Sequence, residues 1–267
     1  MDFSEATIRL TAFLAIFAAM AIYELWSPRL EREEMKGAWK SQRWFTNLSI
    51  VVISSVALRI IFPAAAVGTA LYAQSQGWGL FPALGVPAAI AGIVSFVILD
   101  FAVWLEHVVS HKVPLFWRFH RMHHADNGFD VTTALRFHPV EIVVSMFWKA
   151  AIVIALGAPP VAVLVFEIVL NGTAMFNHSN IDLPRPVDRV LRKVIVTPDM
   201  HRVHHSSTPR ETDSNYGFNF PFWDRLFRTY NAQPKLGHEG MQIGLKEFRG
   251  KPSAGLLWAL GLPFRRR

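Results

Sequence analysis

The chain contains no cysteine. That absence excludes disulfides, zinc ribbons and any cysteine-held iron–sulfur or rubredoxin-like centre within this polypeptide. A cleavable signal is also not expected. The first apolar run is long, its start is acidic at Asp2 and Glu5, and no Ala-x-Ala site follows it. No glycine-rich nucleotide fingerprint and no haem-binding segment is found, and the only recurring motif is a histidine one. What the chain has in quantity is apolar surface: 52% hydrophobic residues, with 21 Phe and 9 Trp, gathered in blocks. Blocks of that kind indicate a membrane protein, and 267 residues suit one domain. The net charge of +7 could suggest nucleic acid. Many of the cations flank apolar blocks, however, where anionic lipid headgroups are the expected partners, so no nucleic-acid role is expected.

Thr7 to Trp26 is long enough for a first membrane helix. A charged connector follows from Ser27 to Trp44, with Arg29, Arg32, Lys36, Lys40 and Arg43. A second apolar stretch, Phe45 to Tyr72, is interrupted by Arg59 and Pro63 and predicts one kinked helix or a helix plus a re-entrant piece. The connector from Ala73 to Leu80 has no Lys or Arg, and a third span runs from about Pro82 to Leu105. Basic residues concentrate in cytoplasmic loops, so the first connector, and everything after the third span, is expected on the cytoplasmic side. Val140–Leu156 and Val161–Phe176 flank Gly157-Ala158-Pro159-Pro160, a helical hairpin that dips into the bilayer and returns. Lys149 and Glu167, on opposite arms, are expected to pair. From Ile181 onward the chain reads as a polar, basic cap, and Ser253–Phe264 as an interfacial helix before a phosphate-contacting Arg265-Arg266-Arg267 tail.

Ten of the eleven histidines lie between His107 and His205. Eight form three clusters: His107 with His111; His120, His123 and His124; His201, His204 and His205. Residues three and four apart share a helix face, so each cluster can aim two or three imidazoles at one point. One ion accepts about four to six ligands. Eight clustered imidazoles therefore fit two adjacent metals. The hairpin's even number of crossings returns the third cluster to the side of the first two. His178 emerges at the same depth and is a ninth expected ligand. His138, beside Glu141, is a ligand or a supporting donor. His238, in a glycine-flanked loop, reads as a surface residue. Asp100, Glu141, Asn177 and Asp199 are candidates to orient the ligating rings from behind.

Beyond the histidines, the chain carries Leu115-Phe116-Trp117-Arg118-Phe119-His120, Phe129 to Arg136, and His138-Pro139-Val140-Glu141. Pro198 to His205, Asn215-Tyr216-Gly217 and Trp223 to Phe227 continue the pattern. Over residues 95 to 231 it resembles the fatty acid hydroxylase/sterol desaturase superfamily of membrane di-iron enzymes. Arg228 stands where that pattern favours Gly. The resemblance implies an all-α, polytopic helix bundle whose cytoplasmic, histidine-rich cap holds a dinuclear centre of two Fe ions, for which Zn can substitute. It implies use of O2 and two electrons to hydroxylate an unactivated C–H bond of a bilayer lipid, or to desaturate it at the same site; the metal centre itself is catalytic, with no separate acid or base. The electrons would come from a separate ferredoxin, rubredoxin or b-type cytochrome with its reductase, docking on the basic cap. One domain is expected: N-terminal membrane helices over 1–81, the catalytic region over 82–231 and the basic tail over 232–267. A zinc-binding membrane protein or a transporter is the other class. Zinc needs fewer ligands, though, and transporter sites lie near the bilayer midplane. Substrate, electron donor and oligomeric state are left open by the residues.

Overall fold

The structure, a computed structural model, describes residues 4–265. Asp2, Arg266 and Arg267 lie outside the described residues. Residues 4–265 are helical apart from loops and two isolated bridges, Pro28 with Ile181 and Ser206 with Ile243. Five stretches are long and apolar enough to cross a membrane: Glu5–Trp26, Gly37–Ala83, Ala88–Lys112, Pro139–Leu156 and Pro160–Asn177. They contain helices α1 (Glu5–Trp26), α2 (Gly37–Ile61), α3 (Ala65–Ser75), α4 (Ala88–Lys112), α6 (Pro139–Leu156) and α7 (Pro160–Asn177). Between and after them lie α5 (Pro114–His124), α8 (Arg185–Leu191), α9 (Pro198–His204), α10 (Phe222–Leu226) and α11 (Leu256–Gly261).

Local chemistry sets the boundaries. Ser4 Oγ accepts from Thr7 N–H to start α1. Proline opens α5, α6, α7 and α9, where its missing N–H costs nothing. Gly157, at φ +66°, ends α6 in the left-handed conformation that glycine adopts freely. The apolar stretch from Phe45 is two helices: the break falls at Phe62-Pro63-Ala64, because proline cannot donate back to the preceding turn. The third span begins later and runs further than its hydropathy indicated, so His107 and His111 ride on the membrane helix itself.

The bundle has two distinct ends. At one, the hairpin turn meets the α3–α4 loop so closely that a Cβ on Gly79 would lie 2.1 Å from the Gly157 nitrogen. The other end carries every histidine cluster. Within the bundle Glu167 accepts from Lys149 Nζ at 3.3 Å, the pairing expected across the hairpin, and from Arg9 Nη1 at 2.5 Å.

The cap is held by polar groups more than by apolar ones. Arg43, counted above among headgroup-facing cations, is instead fully buried. The first connector ends early because α2 starts at Gly37 and carries Arg43 into the cap, where Asp126 and Asp130 receive it at 2.6–2.9 Å. Burial alone would raise the Asp126 carboxyl; the Arg43 and Arg136 guanidiniums hold it down at about 2. Arg136 donates to Met122 O, Asn47 Oδ1 and Ser253 O. Glu24, at the end of α1, accepts from the backbone N–H groups of Val131 and Asn180. His238 is also buried, contrary to the surface reading, with Nε2 3.6 Å from Asp199 Oδ2. The expected interfacial segment keeps Leu257 and Phe264 exposed, but Ala259 and Leu262 are fully buried against Ile50 and Met122. It closes the cap over α2 and α5 because its apolar face meets one there.

Candidate metal centre

Nine histidines converge at the capped end in two groups. One comprises His107, His111, His120, His124 and His204; the other comprises His123, His178, His201 and His205. Within each group one nitrogen per ring lies within 4.8 Å of all the others. Two ligand nitrogens facing each other across a metal sit about 4.2 Å apart, twice the usual metal–imidazole distance. The nitrogen spacings, 3.1–3.2 Å between the nearest pairs and none beyond 4.8 Å, bracket that distance. They are neighbours: the His124 and His205 rings stack at 4.7 Å between centroids.

The two helices with the HxxHH pattern divide their rings in a crossed fashion. His120 and His124, at i and i+4, enter the five-ring group, while His123 turns to the other. His201 and His205 enter the four-ring group, while His204 crosses back. The i,i+4 partners share a face, and the third ring projects beside it. α4 adds His107 and His111 to one group, and the end of α7 adds His178 to the other.

Hydrogen bonds behind the rings fix their tautomers. His107 Nδ1 donates to Tyr216 O at 2.7 Å, His178 Nδ1 to Ala174 O at 2.8 Å and His204 Nδ1 to Ser214 O at 2.7 Å. His120 Nδ1 donates to the Glu141 carboxylate at 2.6 Å. A neutral imidazole has one N–H, so in all four rings Nε2 carries a bare lone pair. Yet His107 Nε2 and His120 Nε2 lie 3.1 Å apart and neither can donate to the other. His178 Nε2 is 3.1 Å from His201 Nε2 and 3.2 Å from His123 Nε2, and it accepts from one of them, since the Nδ1 of each is buried without a partner. Buried with no partner are His111 Nε2, His204 Nε2 and both nitrogens of His205. Lone pairs packed together out of water are unfavourable unless a cation lies among them. Burial pushes the His120 and His178 rings down to about 3. It carries His123, His124, His201, His204 and His205 well below the usual imidazole range, with neighbouring rings adding to the effect. The rings are thus held in the neutral form that binds metal. The donor set, all nitrogen, suits late first-row divalent ions.

Of the residues expected behind the rings, Glu141 touches one. Asp100 accepts from Trp223 Nε1 at 2.6 Å, Asn177 donates to Phe218 O, and Asp199 lies among Arg29, Arg202 and His238. His138 stands outside both groups. Its Nδ1 accepts from Val140 N–H to cap α6, and its Nε2 faces Leu260 O at 3.3 Å, so both nitrogens are engaged. The sequence reading missed the carbonyls of Tyr216, Ser214 and Ala174, which no side-chain pattern could reveal. It also missed Asp224. That carboxylate accepts from Tyr216 N–H, Gly217 N–H, Trp104 Nε1 and Thr229 Oγ1, and so fixes the loop that supplies the Tyr216 carbonyl.

The fatty acid hydroxylase family profile matches residues 92–229, more than half of the chain, and the chain belongs to that family. An ornithine lipid hydroxylase of Rhizobium tropici is 27% identical over 265 residues, 96% of this chain and 75% of that protein. An alkylglycerol monooxygenase of Xenopus tropicalis is 27% identical over 199 residues, 72% of this chain and 43% of that protein. A cholesterol 25-hydroxylase of Rattus norvegicus is 26% identical over 145 residues, 53% of this chain and 47% of that protein. The chain thus spans three quarters of the first relative and less than half of the other two. No solved structure matches.

Proposed function

We propose that this chain is a membrane hydroxylase that inserts one oxygen atom of O2 into an unactivated C–H bond of a bilayer lipid. Its nine imidazoles would hold two iron ions, five rings to one and four to the other. The balance is R–H + O2 + 2 e⁻ + 2 H⁺ → R–OH + H2O. With no cysteine in the chain, the electrons come from a separate carrier: a ferredoxin, a rubredoxin or a b-type cytochrome with its reductase. When bound, the ions supply the reductive activation of dioxygen that a saturated C–H bond requires. The chain's own part is positional. Glu141 and three backbone carbonyls hold protons on Nδ1 and keep Nε2 aimed inward, and the closed cap keeps water from the rings. The site lies where helices leave the bilayer, on the side assigned to the cytoplasm by the basic first connector. A lipid chain can then reach it without leaving the membrane.

The observation that carries this reading is nine buried imidazoles in two adjacent groups, with four rings held at Nδ1 so that Nε2 faces the other ring nitrogens. Relatives named as two hydroxylases and a monooxygenase, of three different lipids, support the reaction type. The test is to purify the protein without oxygen, load it with iron, and supply lipid, O2 and electrons. Two ions per chain and a lipid product heavier by one oxygen are expected. A product lighter by two hydrogens would make it a desaturase, and a single ion per chain would overturn the dinuclear assignment.

A further inference from the structure

We infer that the segment Phe218–Trp223 walls the route by which a single linear lipid chain reaches the metal centre, and that Phe218 sets which carbon is presented. This rests on the hydroxylase reading above for its chemistry, but not for its binding.

The first observation is where this segment goes. After the third histidine cluster the chain is in the polar cap, and nothing in its polarity requires a return to the bundle. Gly217 makes the return possible: a Cβ there would lie 2.6 Å from Phe220 O and 3.1 Å from Asp224 Oδ2. Phe218 is thereby set against the bundle's largest apolar cluster, which includes Leu99, Val103 and Phe166.

The second is which side of the metal centre is open. Tyr216 and Phe129 touch the histidine rings and are fully buried, so they form closed walls. Phe218 and Phe137 also touch the rings but are only half-buried, and their centroids are 6.5 Å apart. Each spans both groups. Phe218 lies 4.9 Å from His107 and 5.8 Å from His201; Phe137 lies 4.3 Å from His123 and 5.9 Å from His120. The two rings pack against each other, and a group lying on their outer edge faces both groups at once. The half-buried Trp117 touches rings of the five-ring group only.

The third is continuity. Phe218, Phe220 and Phe222 alternate along the chain. Phe220 sits 6.0 Å from Phe96 on α4 and 4.9 Å from Phe222, which is 40% exposed. Trp223 fixes the outer end by its bond to Asp100, which lies two helical turns before His107 on α4. The rings thus run from an exposed face of the bundle to the metal centre. A path lined mainly by aromatic rings suits a hydrocarbon chain.

The test uses the full chain in phosphatidylcholine nanodiscs containing a phosphatidylcholine with a diazirine at one acyl terminus. After irradiation, adducts are mapped by mass spectrometry. The expected result is labelling of Phe218 or Phe220 within the peptide Glu211–Arg225, reduced about tenfold by Phe218→Trp, whose larger ring obstructs the wall beside the metal centre. Labels confined to α1 and α2, with none on that peptide, would overturn the proposal. So would labelling of the peptide by a diazirine sterol and not by the acyl probe. In iron-loaded protein supplied with electrons, Phe218→Leu should move or broaden the hydroxyl position while leaving iron content unchanged. An unchanged product position would overturn the role of Phe218. Should Phe218→Trp not fold, the wild-type labelling and Phe218→Leu decide the matter. If wild-type protein labels as expected but oxidises no lipid, the hydroxylase reading fails and the route stands.

Discussion

A guanidinium wholly out of water is tolerated only where carboxylates and carbonyls satisfy it, and Arg43 shows how little room that leaves. Asp126 and Asp130 accept its hydrogen bonds, and Gly128 lies against its face: a Cβ at 128 would sit 2.3 Å from Arg43 Cζ. Gly128→Ala should displace the guanidinium from a buried pair and destabilise the cap by about 3–5 kcal/mol, read as a fall in the unfolding midpoint in detergent. Unchanged stability would show that the pair is dispensable. Arg228 is strained in the opposite sense. It is exposed and adopts φ +60°, a conformation costing a non-glycine residue about 1 kcal/mol or more. Glycine, which the resemblance led to expect at this position, adopts this conformation freely. Arg228→Gly should therefore raise stability by about 1 kcal/mol, and a loss would mean that the arginine makes a compensating contact. Arg228 was marked in the sequence by its departure from an expected glycine, whereas the setting of Arg43 was not legible in advance. The carboxylates around Arg43 lie 83 and 87 positions further along the chain, so its burial is a tertiary fact, whereas a local reading assigns a basic connector residue to lipid headgroups.

Helices that carry HxxHH were legible as metal-binding elements, because spacing alone places His120 with His124 and His201 with His205 on shared faces. Spacing could not say that the middle rings cross over, since that depends on how α5 and α9 meet. The crossing makes a sharp prediction. His123→Ala should reduce the bound metal from two ions to one, and adding His205→Ala, from the same four-ring group, should remove no more. Adding His124→Ala to His123→Ala should remove both, although residues 123 and 124 are chain neighbours. Metal analysis of the three proteins decides it; loss of both ions from the first double variant would disprove the grouping. Behind the rings, Glu141→Gln weakens the acceptor for His120 Nδ1, and about a 10- to 100-fold loss of metal affinity at the five-ring group is expected. The α2–α3 break was only half legible: Pro63 marked an interruption, but whether a proline bends or ends a helix depends on what the neighbouring helices pack against it.

At the scale of the whole molecule, the stretches long and apolar enough to cross a membrane were the most legible feature, since apolar length is a property of the sequence alone. The result is a cap that buries nine imidazoles as neutral rings, which ties its stability to pH when metal is removed. Inside the fold His120 and His178 protonate only near about 3, whereas in the unfolded chain a histidine protonates near about 6.5. Between those values unfolding takes up protons, so stability must fall as pH falls through that window. Asp126 acts further down: its folded value of about 2 lies below its usual 3.8, so its contribution is present above 3.8 and is lost as pH falls towards 2. The metal-free protein should therefore show a steadily declining Tm from pH 7 to pH 4 in detergent. The loaded protein should hold its Tm down to a lower pH, because bound metal excludes protons from the same lone pairs, and then lose it abruptly as protons displace the ions. A metal-free Tm flat across this range would mean that the rings are hydrated or already charged, and the lone-pair case for a metal centre would fall with it.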